Sequence, residues 1–236
     1  MKFGSITTPI ITDGLVFHVD AANRASYVNG NTKAFNTINL SQSGSFISGV
    51  SFNNANNGSW NFDGSDDYID CNQISSLAGT SAFTILGWFN QTTLDQQRLM
   101  FGTYISTSNL ISCYTWSDGN MYIDIRNGST TYGNFDYSTA VSAETWFHCA
   151  CVFNGSGATD ADKIKIYING VNQTLSYNGT LPTSTNATQG DFRIGGLENY
   201  TQEWLGNIAN MHIYNRTLSA TEVLHNYNAL KSRFGL

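Results

Sequence analysis

A chain of 236 residues with 12% charged and 13% aromatic side chains, and only 2 prolines against 22 glycines, is too rich in core-forming groups for a disordered, collagenous or coiled-coil protein. A length of this order buries one core without help from a metal or a disulfide. The net charge of −6, from 17 acidic against 11 basic residues with no basic stripe, argues against a nucleic-acid partner.

Residues 1–13 read as an extended arm ahead of a domain spanning 14–236. Thr7, Thr8 and Pro9 favour an extended path, and Phe3, Ile6, Ile10 and Ile11 offer apolar anchors for assembly with a neighbouring chain. The opening stretch lacks the basic and apolar regions of a signal peptide, and no apolar run reaches the ~18 residues of a membrane span. Synthesis in a cytoplasm without export is therefore the expectation, with no membrane insertion.

Further along, Asp63, Asp66, Asp67 and Asp70 crowd one short stretch. Hard oxygen ligands of this kind suit Ca²⁺, alone or shared with Asp20, but the EF-hand pattern is missing and a solvated turn has the same composition. Strand signals then dominate: 82–89, 110–116, 121–126, 146–153 and 163–169 are short runs of β-branched and aromatic residues separated by Asn, Gly, Ser and Asp. Ile164, Ile166 and Ile168 alternate with more polar residues and run into Asn169-Gly170, a pair suited to a type I′ turn, which predicts a hairpin returning over 171–175. Many short strands at this spacing imply an all-β sandwich or barrel.

Within these elements, Asp124 is the carboxylate set cleanly inside an alternating strand, two residues from Arg126, and reads as a sheet-face residue paired with it. His148, two residues after Trp146, reads as a hydrogen-bonded core histidine, and Trp88 and Trp146 as core. Cys71, Cys113, Cys149 and Cys151 form no CxxC pair and read as free, buried thiols, with a disulfide or metal site as the alternative. Two loops combine an aromatic face with amide and carboxylate groups, the chemistry of a sugar site: Trp116, Asp118 and Asn120 in a tight turn, and Glu198, Asn199, Tyr200 and Trp204 in a longer one. In both, a tryptophan ending a strand or covering the sandwich end is the competing reading. A single helix is predicted from about Ala220 to Lys231, with Ser219 and Glu222 as a capping box, Leu218 and Val223 as a hydrophobic staple, and Val223, Leu224, Tyr227 and Leu230 as its apolar stripe.

Five phrases, in order, carry a resemblance: 14–23 (Gly14 to Asn23), 61–69 (Asn61 to Ile69), Trp146-Phe147-His148, 166–170 (Ile166 to Gly170) and 206–219 (Gly206 to Ser219). Over residues 14–236 the chain resembles the concanavalin A-like lectin/glucanase superfamily, specifically laminin-G-like domains of the type found in phage virion proteins. It departs from that pattern between Tyr27 and Ser59, where Asn- and Ser-rich text replaces the expected Pro/Gly-rich segment and Trp-containing strand. The resemblance implies two antiparallel sheets packed as a jelly roll, closed by one short C-terminal helix. Glucanases of this fold draw a Glu-x-Asp-x-Glu type string from one strand; the four Glu here, at 144, 198, 203 and 222, form none. With no nucleophile elbow beside His18, His148, His212 or His225, the chain is expected not to be an enzyme.

Two functions stay open on these grounds. The first is a structural protein on a phage virion surface, as capsid decoration, spike or tail component. It would be attached through the arm to other virion proteins or to itself as a homo-oligomer such as a trimer, with glycans as further partners. The second is a free carbohydrate-binding or adhesion module.

Overall fold

The structure, a computed structural model, describes residues 9–129 and 131–236. The first strands are β1 (Leu15–Asp20), β2 (Lys33–Phe35), β3 (Ser43–Ile47), β4 (Ser51–Asn53), β5 (Ser59–Asp63), β6 (Tyr68–Asp70), β7 (Ala82–Gln91), β8 (Arg98–Ser106) and β9 (Asn109–Thr115). There follow β10 (Asn120–Asn127), β11 (Tyr132–Asp136), β12 (Trp146–Asn154), the helical turn α1 (Asp160–Lys163), β13 (Ile164–Ile168) and β14 (Val171–Asn172). The chain ends with β15 (Ser176–Asn178), β16 (Phe192–Ile194), β17 (Leu205–Tyr214) and the helix α2 (Ala220–Leu230).

These strands make two antiparallel sheets packed as a jelly-roll sandwich. One has the order β14-β13-β12-β7-β17-β5-β4, with β1 taking over from β5 along the same side of β17; the other has the order β15-β11-β10-β9-β8-β16-β6-β3-β2. Alternation sends Phe17, Trp60, Phe83, Phe89, Phe101, Ile123, Phe147, Ile166 and Ile213 into one continuous core between the sheets. No helix among the described residues is long and apolar enough to cross a membrane.

The Asn169-Gly170 turn has φ of 52° and 79°, the left-handed pair a type I′ hairpin requires. The returning strand is shorter than the sequence predicts. It stops at Asn172, because Leu175 and Tyr177 pack against the core and carry the chain across to pair with β11 in the other sheet.

Helix α2 carries the predicted capping box: Ser219 Oγ accepts from the Glu222 N–H, and Glu222 accepts from the Ser219 N–H at 2.8 Å. Its buried face is Val223 and Asn226 rather than Val223 and Leu224, since Leu224 is 43% exposed. Asn226 turns inward because it has bonds to make: Oδ1 accepts from the Ile11 N–H at 2.8 Å, and Nδ2 donates to the Tyr214 hydroxyl, which itself donates to the Ile11 carbonyl. The last arm residues are thereby fixed to their own domain. Ile10 and Ile11 pack, partly buried, with Leu86, Val152, Leu218 and Val223 of their own domain. Phe3 and Ile6 lie outside the described residues.

A second, aromatic patch continues this seal. Phe234 stacks on Trp88 with ring centroids 4.2 Å apart, Tyr227 stacks on Trp88 at 5.7 Å, and Trp146 leans on Phe234. The Arg233 guanidinium clamps the end of the chain through Nη1 bonds to both Asp20 carboxylate oxygens, at 2.9 and 3.0 Å.

Candidate binding groove

On the outer face of the nine-stranded sheet, β9 and β10 pair in the register Tyr122↔Tyr114 and Asp124↔Ser112. With Ile111, Cys113, Ile123 and Ile125 inside, the same alternation puts Ser112, Tyr114, Tyr122, Asp124 and Arg126 outside in two adjoining rows. Gly102 on β8 lets the loop after β16 settle on this face: a Cβ there would stand 2.7 Å from Leu197 Cδ1 and 2.5 Å from the Ile111 carbonyl oxygen. The result is a groove of about 250 Å³ floored by Leu99, Ser112 and Asp124, with Tyr114 and Trp116 on one side and Leu197, Tyr200 and Gln202 on the other. Tyr200 stands edge-on to Tyr104 at 5.8 Å, and Tyr114 is braced by Tyr122, stacked nearly parallel at 5.2 Å.

The floor carries the charge. Arg126 Nη2 donates to Asp124 Oδ2 at 2.6 Å, the pairing the strand spacing predicts, and Nη1 donates to the Thr107 carbonyl at 2.8 Å. Asp124 is only 2% exposed, and burial pushes its pKa up to about 6 against the pull of Arg126. Two polar atoms of this pair, Asp124 Oδ1 and Arg126 Nε, are buried with no hydrogen-bond partner among the described residues. Burial and the Asp124 charge raise the Tyr114 hydroxyl, which therefore stays protonated.

Of the sequence-predicted sugar residues, the groove brings together Trp116, 40% exposed, and Tyr200. Asp118 and Asn120 stand aside in the β9–β10 turn, where Asp118 accepts from the Tyr122 hydroxyl at 2.7 Å and from the Asn120 N–H at 2.9 Å. Glu198 and Asn199 are outside the lining, Asn199 at the left-handed φ of 62° that turns the loop. Trp204 is fully buried and packs edge-on against Phe89, so it presents no ring face to a ligand. It immediately precedes β17, two and four residues from the buried Gly206 and Ile208, and shares their inward phase. Tyr114, Asp124 and Arg126 complete the groove; the signal for them was the polar-aromatic phase of the two strands taken together.

Three larger hollows, of about 560, 430 and 400 Å³, have no carboxylate in their linings, and the first has no aromatic ring. Among the described residues, possible metal ligands gather in two places. Asp63, Asp66 and Asp67 approach within 4.8 Å of one another, but both Asp67 oxygens accept backbone N–H groups, from Gly49 and Asp63, and Asp20 is committed to Arg233 rather than to this loop. Cys113, Cys149 and Cys151 gather in the core with Cys113 and Cys151 sulfurs 3.8 Å apart. All four cysteines are free and buried. A metal thiolate centre among the three would place net charge in an apolar interior with no cation alongside.

The family profile described as Concanavalin A-like lectin/glucanases superfamily, laminin G type, matches residues 63–224, and the chain belongs to that family. Similar solved structures include the binding domain of botulinum neurotoxin serotype D, at a TM-score of 0.66 and 15% identity over 92% of this chain and 52% of that one. The serotype D ligand-binding domain in complex with N-acetylneuraminic acid matches at a TM-score of 0.65 and 16% identity, over 92% and 51%. The binding domain of neurotoxin DC in complex with rat synaptotagmin II matches at 0.64 and 15%, over 92% and 52%. This chain thus spans about half the length of the structures it matches, and at such identity the likeness defines the fold. No curated protein matches the sequence.

Proposed function

We propose that the domain is a non-catalytic glycan-binding module whose sugar site is the groove of Tyr114, Trp116, Asp124, Arg126 and Tyr200. The observation that carries this reading is the unpartnered Asp124 Oδ1 at the base of a groove walled by aromatic rings: a sugar stacks its apolar face on an aromatic ring and donates hydroxyls to an acceptor. Asp124 is the sole carboxylate in the lining, whereas glycoside hydrolysis uses a pair on the order of 5 to 9.5 Å apart, which supports binding over turnover. A glycan array probed with the whole chain and with Trp116→Ala tests it. The reading expects discrete hits that Trp116→Ala loses, and fails if the variant keeps every hit.

The wider setting in this proposal is a virion surface, supported by the resemblance of five ordered phrases to phage laminin-G-like proteins. Docking of residues 9–11 on their own helix favours a freely acting module over attachment through Ile10 and Ile11. Mass spectrometry of purified particles decides: the virion setting requires the chain among the particle proteins.

A further inference from the structure

From the polar floor of the groove we infer that the site selects neutral pyranosides with adjacent hydroxyls and discriminates against sugars that carry a carboxylate. This rests on the glycan reading above and adds to it a ligand class.

The Arg126 charge is already answered. One of its terminal nitrogens is held by Asp124 Oδ2 and the other by the Thr107 carbonyl, so the pair presents no net positive field to an incoming anion. Within this pair, the buried atoms left without a partner among the described residues are an acceptor, Asp124 Oδ1, and a donor, Arg126 Nε–H. A buried carboxylate oxygen without a donor carries a desolvation cost that a ligand hydroxyl can remove, and a hydroxyl donating to it forms a charge-assisted bond. Two adjacent hydroxyls meet both vacant valences at once: one donates to Oδ1 while its neighbour accepts from Nε–H. A sugar carboxylate cannot make the first bond. It would bring a second negative charge against Asp124, which is itself 2% exposed and poorly screened.

The lining residues offer no further charge to reverse this. Gln97, Gln202, Ser112 and the tyrosines at 114 and 200 are neutral, and Arg126 is the only cation in the lining. Specificity here is built by repulsion of the wrong ligand as much as by attraction of the right one. The prediction departs from the neurotoxin domain solved with N-acetylneuraminic acid, a carboxylated sugar.

The test compares ring-matched probes on the whole chain by calorimetry or ligand-observed NMR: methyl glucoside against methyl glucuronoside, methyl galactoside against methyl galacturonoside, and the methyl glycoside of N-acetylneuraminic acid. The inference expects at least one neutral member to bind on the order of tenfold or more tightly than its acid partner at pH 7.5. Asp124→Asn should then narrow or invert that ratio, because it removes the repelling charge and leaves Arg126 unanswered. Arg126→Gln guards against misfolding of the first variant: it keeps the carboxylate and should leave the rejection of acids intact. Equal or tighter binding of an acid partner, lost on Trp116→Ala, overturns the class while sparing the groove as a glycan site. Binding of no sugar at all, or binding indifferent to Trp116→Ala, overturns both.

Discussion

On the eight-stranded sheet the outward side chains of β7, β12 and β17 lie beneath α2 and residues 9–11, whereas on the nine-stranded sheet those of β8, β9 and β10 face a groove bordered by the loop at 197–202. Both faces contain orphaned polar groups. Under the helix, neither ring nitrogen of His148 or His212 has a partner among the described residues, and neither has the Asn210 amide nor the Trp88 N–H. In the groove the orphans are Asp124 Oδ1 and Arg126 Nε. A sealed orphan is a standing cost to the fold, while an orphan at the base of an open groove can be satisfied by whatever enters. Helix α2 and residues 9–11 fill one face, and the other leaves its unspent hydrogen-bonding capacity at the base of the groove.

Acid separates the two faces most strongly. Burial depresses His148 to about 3, and burial, followed by the charges of His18, His148 and Arg233, holds His212 well below its ordinary value; His18 is lowered too, mainly by burial, against Asp20. The unfolded chain takes up these protons below about pH 6.5 while the folded one does not, so stability is lost as pH falls, by about 2 kcal/mol at pH 5 for His148, with His212 and His18 acting in the same direction. Asp124 acts in the opposite sense. Its raised pKa of about 6 means the folded state takes up a proton before the unfolded state does, which returns about 1 kcal/mol over the same interval. Urea titrations from pH 7.5 to 5 should show a net loss, steeper in Asp124→Asn; a flat profile would place protonatable partners beside the histidines.

Removing the cover directly comes next. Phe234→Ala strips the ring stacked on Trp88 and is expected to cost about 3 kcal/mol, read as a shift in the denaturation midpoint. A loss below about 1 kcal/mol would mean that the seal contributes little. Ser219→Ala, which breaks the capping box, should cost about 1 kcal/mol with no effect on sugar binding. The smallest effect belongs to the open face: Trp116→Ala should change stability by less than about 0.5 kcal/mol, because its ring is exposed, while removing ligand binding. Comparable destabilisation by Trp116→Ala and Phe234→Ala would erase the distinction between the faces.

What could be read in the sequence was local. The capping box at Ser219, the Asn169-Gly170 turn, the pairing of Asp124 with Arg126 and the alternation of β7, β12 and β13 each depend on neighbours within a few residues, and each is present. The docking of Ile11 on Asn226 was hidden because its partners are 215 residues apart. For Trp204 the competing reading, a ring covering the sandwich, is the one the fold shows: composition marks its loop as sugar-like, but the phase of β17, set by Ile208, turns the ring inward. The groove was half legible. Trp116 and Tyr200 could be named as aromatic loop residues, while Tyr114 joins them only once the β9–β10 register is known.

The clasp between residues 9–11, β17 and α2 also sets an order of assembly. β1 pairs with β17, Ile11 bonds to Asn226, and Asp20 bonds to Arg233 across 213 residues. As the chain leaves the ribosome, β1 has no sheet partner until the last strand, β17, appears, and Trp88, His148 and His212 remain wet until α2 and Phe234 arrive. Loop closure over such distances is slow, so folding should run on the millisecond-to-second scale of non-local β topologies. Among the elements of this domain, α2 and Phe234 come last in sequence, and their arrival dries a histidine-lined face.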